Sequence, residues 1–235
     1  MSGSKSLQEL SLPSYWDNRY AGKLDPEIEE IIHDDGNEDE ESVAANKEIE
    51  SFEWFKDFLS LKPFFEKHLP SPGENSEEGS GPRVLHLGCG NSTLTHDLDT
   101  IGYRNQISVD FSEVVIQRMS DKYSGLNTTW TVMDVRDMKL KDGEIDVAIY
   151  KGTLDAMIHG SMWDSPKEVR ENLGRYIDEV ARVLKPGGQW LYITYRQPHF
   201  MKPFLLRDGI WETEMERIGG ERGTFEYFGW RMKKL

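Results

Sequence analysis

The sequence predicts an α/β fold: a parallel sheet covered by helices on both faces, followed by an antiparallel β-hairpin. From residue 83 onward, short apolar runs alternate with segments of helical periodicity. Such alternation is typical of right-handed crossovers between parallel strands. The end of the chain differs, because the runs 211–218 and 224–232 flank a glycine-rich turn at 219–223. This arrangement indicates a hairpin on the sheet edge.

The boundaries of the elements follow from apolar periodicity and from capping residues. Ser112 can cap the helix that it begins, and Gly102 can end the helix before it. The helix near residue 175 has a strongly apolar face and is stopped by the sequence Lys-Pro-Gly-Gly at 185–188. The predicted strands are 83–89, 105–111, 128–134, 144–152 and 189–195, and the predicted helices are 92–102, 112–125 and 167–184.

The first third of the chain predicts an extension to this core. Residues 1–69 form an N-terminal lid or helical extension, in which Phe52, Phe55, Leu59 and Leu61 approximate a helical stripe bent or ended by Pro63. The acidic insert 25–50 is expected to be solvated and disordered. Residues 70–82 are rich in Pro, Gly, Ser and Glu and predict a linker, so that the core comprises residues 83–235.

Composition excludes several classes of protein. The net charge is −14, of which the segment 25–50 contributes −11, with 12 acidic residues against one lysine. With no basic stripe, nucleic-acid binding is not expected, and with no long apolar run, neither is a membrane span. The single cysteine, Cys89, and the scattered histidines predict no disulfide and no metal site. A reducing, cytoplasmic location is the simplest expectation.

Small and acidic residues follow three successive predicted strands. Gly88 and Gly90 come after the first strand, Asp110 ends the second and Asp134 ends the third. Because the carboxyl ends of parallel strands meet at the ligand-binding edge of an open α/β sheet, we expect these residues to line one site. Glycines let a ligand approach the backbone. Asp110 can accept hydrogen bonds from a ribose, and Asp134 from the exocyclic amine of an adenine.

Several nucleotide ligands compete for such a turn. A dinucleotide fingerprint requires a third glycine, where this chain has Thr93. A P-loop is excluded, because the motif GxxxxGK[ST] does not occur. S-adenosylmethionine carries a ribose, an adenine and a methionine moiety without a pyrophosphate, and it fits the two glycines and two carboxylates best.

Eight short motifs occur in a fixed order: SYWDNRY, FEWF, VLHLGCGNS, SVDFSEVVI, MDVRDM, YKGTLDA, VARVLKPGG and PHF. Together they resemble one branch of the class I methyltransferases, which includes the lysine methyltransferases of eukaryotic translation elongation factor 1-alpha. The resemblance extends from about Tyr15 to the C-terminus, although the acidic insert departs from the shorter spacing typical of the branch. It implies a Rossmann-like, seven-stranded sheet with helices on both faces and the last strand inserted antiparallel.

The resemblance also implies roles for individual residues toward S-adenosylmethionine. Trp16 and Tyr20 would fold over the cofactor beside Phe52, and Gly88 would touch its methionine portion. Phe111 would flank the adenine, and Val135 would hold it through the backbone. Lys151 would lie near the amino-acid end or the reactive centre. The predicted cofactor-binding residues are Trp16, Tyr20, Phe52, Gly88, Gly90, Asp110, Phe111, Asp134, Val135 and Lys151.

The implied activity is methylation of a lysine side chain of a protein, with elongation factor 1-alpha the first candidate substrate. Methyl transfer needs alignment and exclusion of water more than it needs a base, so no catalytic residue is assigned. Tyr150 and Asp155 are candidates for a proton acceptor or a substrate anchor. Two alternatives stay open: a small-molecule methyltransferase, and a non-catalytic module that docks a basic partner through the acidic segment. The sequence does not indicate an oligomeric state.

Overall fold

The structure is a computed structural model that describes residues 8–23, 51–72, 81–161, 163–219 and 226–235. The acidic insert 25–50 therefore lies outside the described residues, as do most of the linker (73–80) and most of the hairpin turn (220–225). Within the described ranges, no helix is long and apolar enough to cross a membrane.

A seven-stranded sheet forms the centre of the fold, with the strand order β3-β2-β1-β4-β5-β7-β6. The strands are β1 (Val84–Leu87), β2 (Gln106–Asp110), β3 (Thr128–Val132), β4 (Ile145–Lys151), β5 (Leu184–Thr194), β6 (Trp211–Ile218) and β7 (Tyr227–Lys234). The first five strands are parallel, and β7 lies antiparallel between β5 and β6. This arrangement confirms the predicted parallel sheet and its C-terminal hairpin.

Seven helices with defined bounds accompany the sheet in the described residues. They are α1 (Pro13–Tyr20), α2 (Phe58–His68), α3 (Leu94–Thr100), α4 (Glu113–Lys122), α5 (Thr153–Met157), α6 (Lys167–Val183) and α7 (Pro198–Leu205). Ser112 caps α4, since its hydroxyl accepts a hydrogen bond from the N–H of Val115. Gly102 follows α3 with a φ of 100°, in the left-handed region that favours glycine.

Apolar side chains cover both faces of the sheet. On one face, α6 contributes Leu173, Tyr176, Ile177 and Val180 to a core with the sheet residues Leu85 and Trp190. On the other face, Leu61, Phe64 and Phe65 of α2 pack with Leu98 of α3 against Val147. Burial on both faces is the property expected of a parallel sheet.

The prediction for residues 52–61 is wrong in register. The helix α2 begins only at Phe58, where the Asp57 side chain accepts a hydrogen bond from the Ser60 N–H at 2.8 Å. Leu59, a member of the predicted stripe, is 74% exposed. The buried face belongs instead to Leu61 and the residues one turn later, because the segment before Asp57 is an irregular strap with bends and does not share the helical periodicity.

Candidate functional site

A cavity of about 260 Å³ opens at the carboxyl ends of β1, β2 and β4. From β1 the chain adds β2 and β3 on one side of the sheet, and it then continues with β4 on the other side of β1. Such a reversal leaves a crevice outside the strand ends, where open α/β sheets bind ligands. The volume is near the lower limit of the roughly 300–1,000 Å³ typical of small-molecule sites.

The turn after β1 brings two glycines into the cavity wall. Gly88 and Gly90 have φ angles of 69° and 52°. A Cβ on Gly88 would lie 2.0 Å from the Thr153 hydroxyl, and a Cβ on Gly90 would lie 2.9 Å from the Tyr20 hydroxyl. The space that side chains would fill at these two glycines is therefore occupied by other side chains of the protein, a threonine of α5 and a tyrosine of α1.

Asp110, at the end of β2, lies beside this turn. One carboxylate oxygen accepts from the Gly90 N–H at 3.1 Å and the other from the Ser112 N–H at 3.0 Å. Burial raises the pKa of Asp110 to about 6, an effect that nearby Asp17 increases and the backbone N–H groups oppose. Two backbone hydrogen bonds leave each oxygen with a free lone pair, so the carboxylate can also accept from a bound diol.

Residues after β2 and β3 form the next part of the wall. Phe111 lines the cavity, as does Asp134. The Asp134 carboxylate binds the Arg136 guanidinium, with the closest N–O distances at 2.8 and 2.9 Å. Val135 is buried in the core and does not line the cavity, so a role for it is limited to its backbone and stays a prediction.

An aromatic lid, formed by α1 and the strap 51–57, covers the cavity. The Trp16 indole N–H donates to the Leu10 carbonyl at 2.7 Å, and the ring centroids of Trp16 and Trp54 are 5.9 Å apart. Trp54 in turn contacts Phe52 at 5.2 Å. The helix α1 packs on α4 through a cluster of buried side chains. Its members are Tyr15, Trp16, Tyr20, Val115 and Met119. The lid thus supplies aromatic surface without fixed charge facing the ligand.

Lys151, the last residue of β4, is a buried cation whose side chain is 5% exposed. Its ammonium group donates to a carboxylate oxygen of Glu53 and, at 3.1 Å, to the Lys56 carbonyl. Burial lowers the pKa of Lys151, and the negative charge of Glu53 opposes that change. The cation therefore contacts the strap as well as the cavity.

Asp155, in α5, is a second buried carboxylate on the cavity wall. It accepts from the Thr194 hydroxyl at 2.6 Å and the Tyr192 hydroxyl at 3.1 Å, and its nearest Arg196 nitrogen is 3.1 Å away. Burial raises the pKa of Asp155 to about 6, against the lowering effect of Arg196. Tyr150 accepts from the Asp155 backbone N–H at 2.7 Å and is buried in the core away from the cavity. Tyr150 thus contacts Asp155 from the core and does not line the cavity.

These residues fit an adenosyl cofactor better than they fit a phosphate or a metal ion. The glycine turn presents the Gly90 N–H to Asp110 instead of to a bound phosphate, and the Asp110 carboxylate matches ribose hydroxyl donors. The aromatic lid matches an adenine ring and a sulfonium, which aromatic faces attract. In the described part of the chain, no group of three or more His, Cys, Asp or Glu side chains is arranged to hold a metal.

Nine of the ten predicted cofactor-binding residues line this cavity, and Val135 is the exception. Sequence reasoning missed Asp17, Glu53 and Arg196. Asp17 accepts from the Ser112 hydroxyl at 2.6 Å, which joins α1 to the end of β2. The first two lie within the motifs SYWDNRY and FEWF, where an acidic residue between aromatic residues is the available signal. Arg196 follows β5, so the strand-end rule that found Asp110 also applies to it.

Comparison with known proteins adds to this geometry. Residues 85–192 match the family described as a methyltransferase domain. The chain is 38% identical over 152 residues to EEF1A lysine methyltransferase 4 of Mus musculus, a match that covers 63% of this chain and 56% of the relative. The protein of the same name from Bos taurus is 33% identical over 189 residues, covering 79% of this chain and 62% of the relative.

A solved structure shows the same fold. A SAM-dependent methyltransferase from Leishmania major matches with a TM-score of 0.56 at 14% identity, covering 73% of this chain and 70% of that one. Residues 85–192 thus match a methyltransferase domain, and the fold of the chain is that of this solved methyltransferase. The sequence is similar to the proteins named EEF1A lysine methyltransferase 4. The matches to the two mammalian relatives span 56% and 62% of their lengths.

Proposed function

We propose that this protein is an S-adenosylmethionine-dependent protein-lysine N-methyltransferase whose substrate is elongation factor 1-alpha. The similarity to relatives named for this activity, at 33–38% identity, carries the choice of substrate. The cavity at the strand ends, with its ribose-matching carboxylate, supports the choice of cofactor. Because elongation factor 1-alpha acts in translation, a cytoplasmic location is part of the proposal.

The cofactor would occupy the cavity between the glycine turn and the aromatic lid. Asp110 would accept hydrogen bonds from the ribose, Phe111 would flank the adenine and Asp134 would accept from its amine. Trp16 and Tyr20 would cover the ligand and exclude water. Lys151 would face the carboxylate of the methionine portion, to which its ammonium group is complementary.

Bound S-adenosylmethionine would supply a methyl group activated by its sulfonium. The contribution of this chain is to align the acceptor amine and to exclude competing water. An amine that enters the cavity must lose its proton, because a free lysine has a pKa of about 10.4. The apolar, aromatic wall favours the neutral amine by desolvation. Asp155 would anchor the amine or receive its proton, and Tyr150 would support it.

The proposal is tested by incubating the purified protein with radiolabelled cofactor and recombinant elongation factor 1-alpha, and in parallel with a cell extract. We expect label on the elongation factor, at a lysine that mass spectrometry locates. Asp121→Asn, on the exposed face of α4, should retain this activity, whereas Asp110→Asn should lose most of it. Label on small molecules alone would refute the protein substrate, and binding of a basic partner without turnover would refute the enzyme.

A further inference from the structure

One carboxylate joins the strap 51–57 to two separate turns of the core. Glu53 accepts from the Ser92 hydroxyl at 2.8 Å and from the Thr93 N–H at 2.6 Å, both in the turn after β1. It also accepts from the Lys151 ammonium group at the end of β4. Glu53 thus binds donors from both strand ends that flank the crevice of the sheet.

The rest of the strap lies against the same region. A Cβ on Gly152 would lie 3.5 Å from the Trp54 side chain, so this indole covers the turn after β4. Phe55 has a φ of 69°, and it is the one non-glycine residue in the described ranges with a positive φ. A bulky residue adopts this conformation only when its surroundings hold it there. The Phe55 ring is held between Tyr195 and Tyr227, with centroids 5.4 and 5.8 Å away.

The ion pair between Glu53 and Lys151 is suited to a strap that is either closed, with the pair formed, or open, with the pair broken. The side chains of Glu53 and Lys151 are 20% and 5% exposed. A buried pair of this kind adds little net stability compared with apolar side chains, but a single buried charge left without its partner is strongly disfavoured. Intermediate positions of the strap, in which one charge is buried alone, are therefore excluded. The pair selects between a closed strap and one that exposes both charges to water.

We infer that Glu53 is a positioning residue that latches the strap over the cofactor cavity. The closed strap contacts the turn after β1 and buries the Lys151 cation, and a cofactor in the cavity leaves only when the latch opens. Glu53 acts through Lys151 and the turn and does not itself line the cavity. The inference rests on the proposed function for the identity of the cofactor, but not for the closure of the strap.

The first test measures how often the strap opens in the absence of ligand, from hydrogen–deuterium exchange of peptides that span 51–57. We compare the wild type with Glu53→Gln, which keeps the shape of the side chain and removes its charge. Glu66→Gln is the matched control, since Glu66 lies on the exposed face of α2 and, within the described residues, pairs only with Lys62, at 3.7 Å. Faster exchange of the strap in Glu53→Gln alone is the expected result. Equal exchange in all three proteins overturns the latch.

The second test measures dissociation of S-adenosylhomocysteine by stopped flow. Glu53→Gln should release this ligand about tenfold faster, as expected for loss of a charge-assisted hydrogen bond in the closed form. The KM for S-adenosylmethionine should rise more than kcat falls, whereas Glu66→Gln should match the wild type. A purely structural role predicts a lower urea midpoint with unchanged dissociation. A wild type that does not bind the ligand refutes the proposed function, and the exchange experiment still decides the latch.

A double-mutant cycle with Ser92→Ala separates the latch from general loosening of the turn. If Ser92 acts through Glu53, Ser92→Ala should speed dissociation in the wild type and have little further effect in Glu53→Gln. Additive effects would mean that the two residues act independently, and would overturn the latch. If Glu53→Gln does not fold, Ser92→Ala alone decides the question: unchanged dissociation and unchanged exchange of the strap contradict the inference.

Discussion

Replacing Asp110 by asparagine changes one atom of the site and tests the ribose assignment. The carboxylate holds the Gly90 and Ser112 N–H groups at 3.1 and 3.0 Å and keeps one lone pair on each oxygen for a ligand. Asparagine retains one acceptor oxygen and replaces the other by an NH₂ group, which cannot accept. One hydrogen bond from the ribose to a charged acceptor is therefore lost, at about 1.5–3 kcal/mol. The affinity for the cofactor should fall about 10- to 150-fold.

The assay is isothermal titration of S-adenosylhomocysteine into the wild type, Asp110→Asn and the control Asp121→Asn. Asp121 is an exposed residue of α4, and its carboxylate accepts from Gln117 at 3.0 Å. Urea unfolding of each protein shows whether a variant that binds weakly is still folded under the conditions of the titration. If Asp110→Asn binds within a factor of two of the wild type, the carboxylate does not hold the ribose and the reasoning fails.

Three further predictions concern stability. Between about pH 4 and 6 the folded protein keeps Asp110 protonated, at a pKa of about 6, while the unfolded chain ionises it. Rising pH should therefore destabilise the wild type more steeply than Asp110→Asn, by about 1.4 kcal/mol per pH unit in urea titrations, and parallel curves would contradict this. In the same assay, Gly88→Ala should lower the free energy of unfolding by about 1–3 kcal/mol more than Gly209→Ala does. Both glycines have a φ near 70°, but of the two only Gly88 has another atom within 4 Å of its Cβ position. Equal losses of stability would exclude a steric role for Thr153. Arg196→Met should lower the free energy of unfolding by about 3–5 kcal/mol by leaving the Asp155 carboxylate buried without a cation. Adding Asp155→Asn should recover much of that loss in thermal unfolding, so a double variant as unstable as the single one would disprove the pairing.

The sequence was sufficient for those parts of the fold that depend on local periodicity. Apolar runs and helical faces recur between residues 84 and 194, so the five parallel strands, the helices α3, α4 and α6, and their order could be predicted. The short helix α5 was not predicted. The strand-end rule then placed Gly88, Gly90, Asp110 and Asp134 on one edge of the sheet. It requires only that the strands be parallel.

The segment before α2 could not be predicted in the same way. Phe52, Phe55 and Leu59 have nearly helical spacing, yet the chain at 51–57 is irregular and Phe55 has a left-handed backbone. Contacts distant in sequence decide this conformation: Glu53 binds Lys151, 98 positions away, and the Phe55 ring lies against Tyr195 and Tyr227. Local propensity depends on neighbouring residues only and so cannot predict these long-range contacts.

By itself, the sequence determined the α/β class, the hairpin and the residue types at the strand ends, because these follow from hydrophobic period and from backbone geometry. Only the tertiary structure decided which atoms occupy the space beside the glycines. Gly88 admits the Thr153 hydroxyl and Gly90 admits the Tyr20 hydroxyl, since α5 and α1 approach the turn from segments that are distant from it in the sequence. The tertiary structure also joined Glu53 to Lys151, because a buried cation needs a carboxylate that the fold brings from a remote segment.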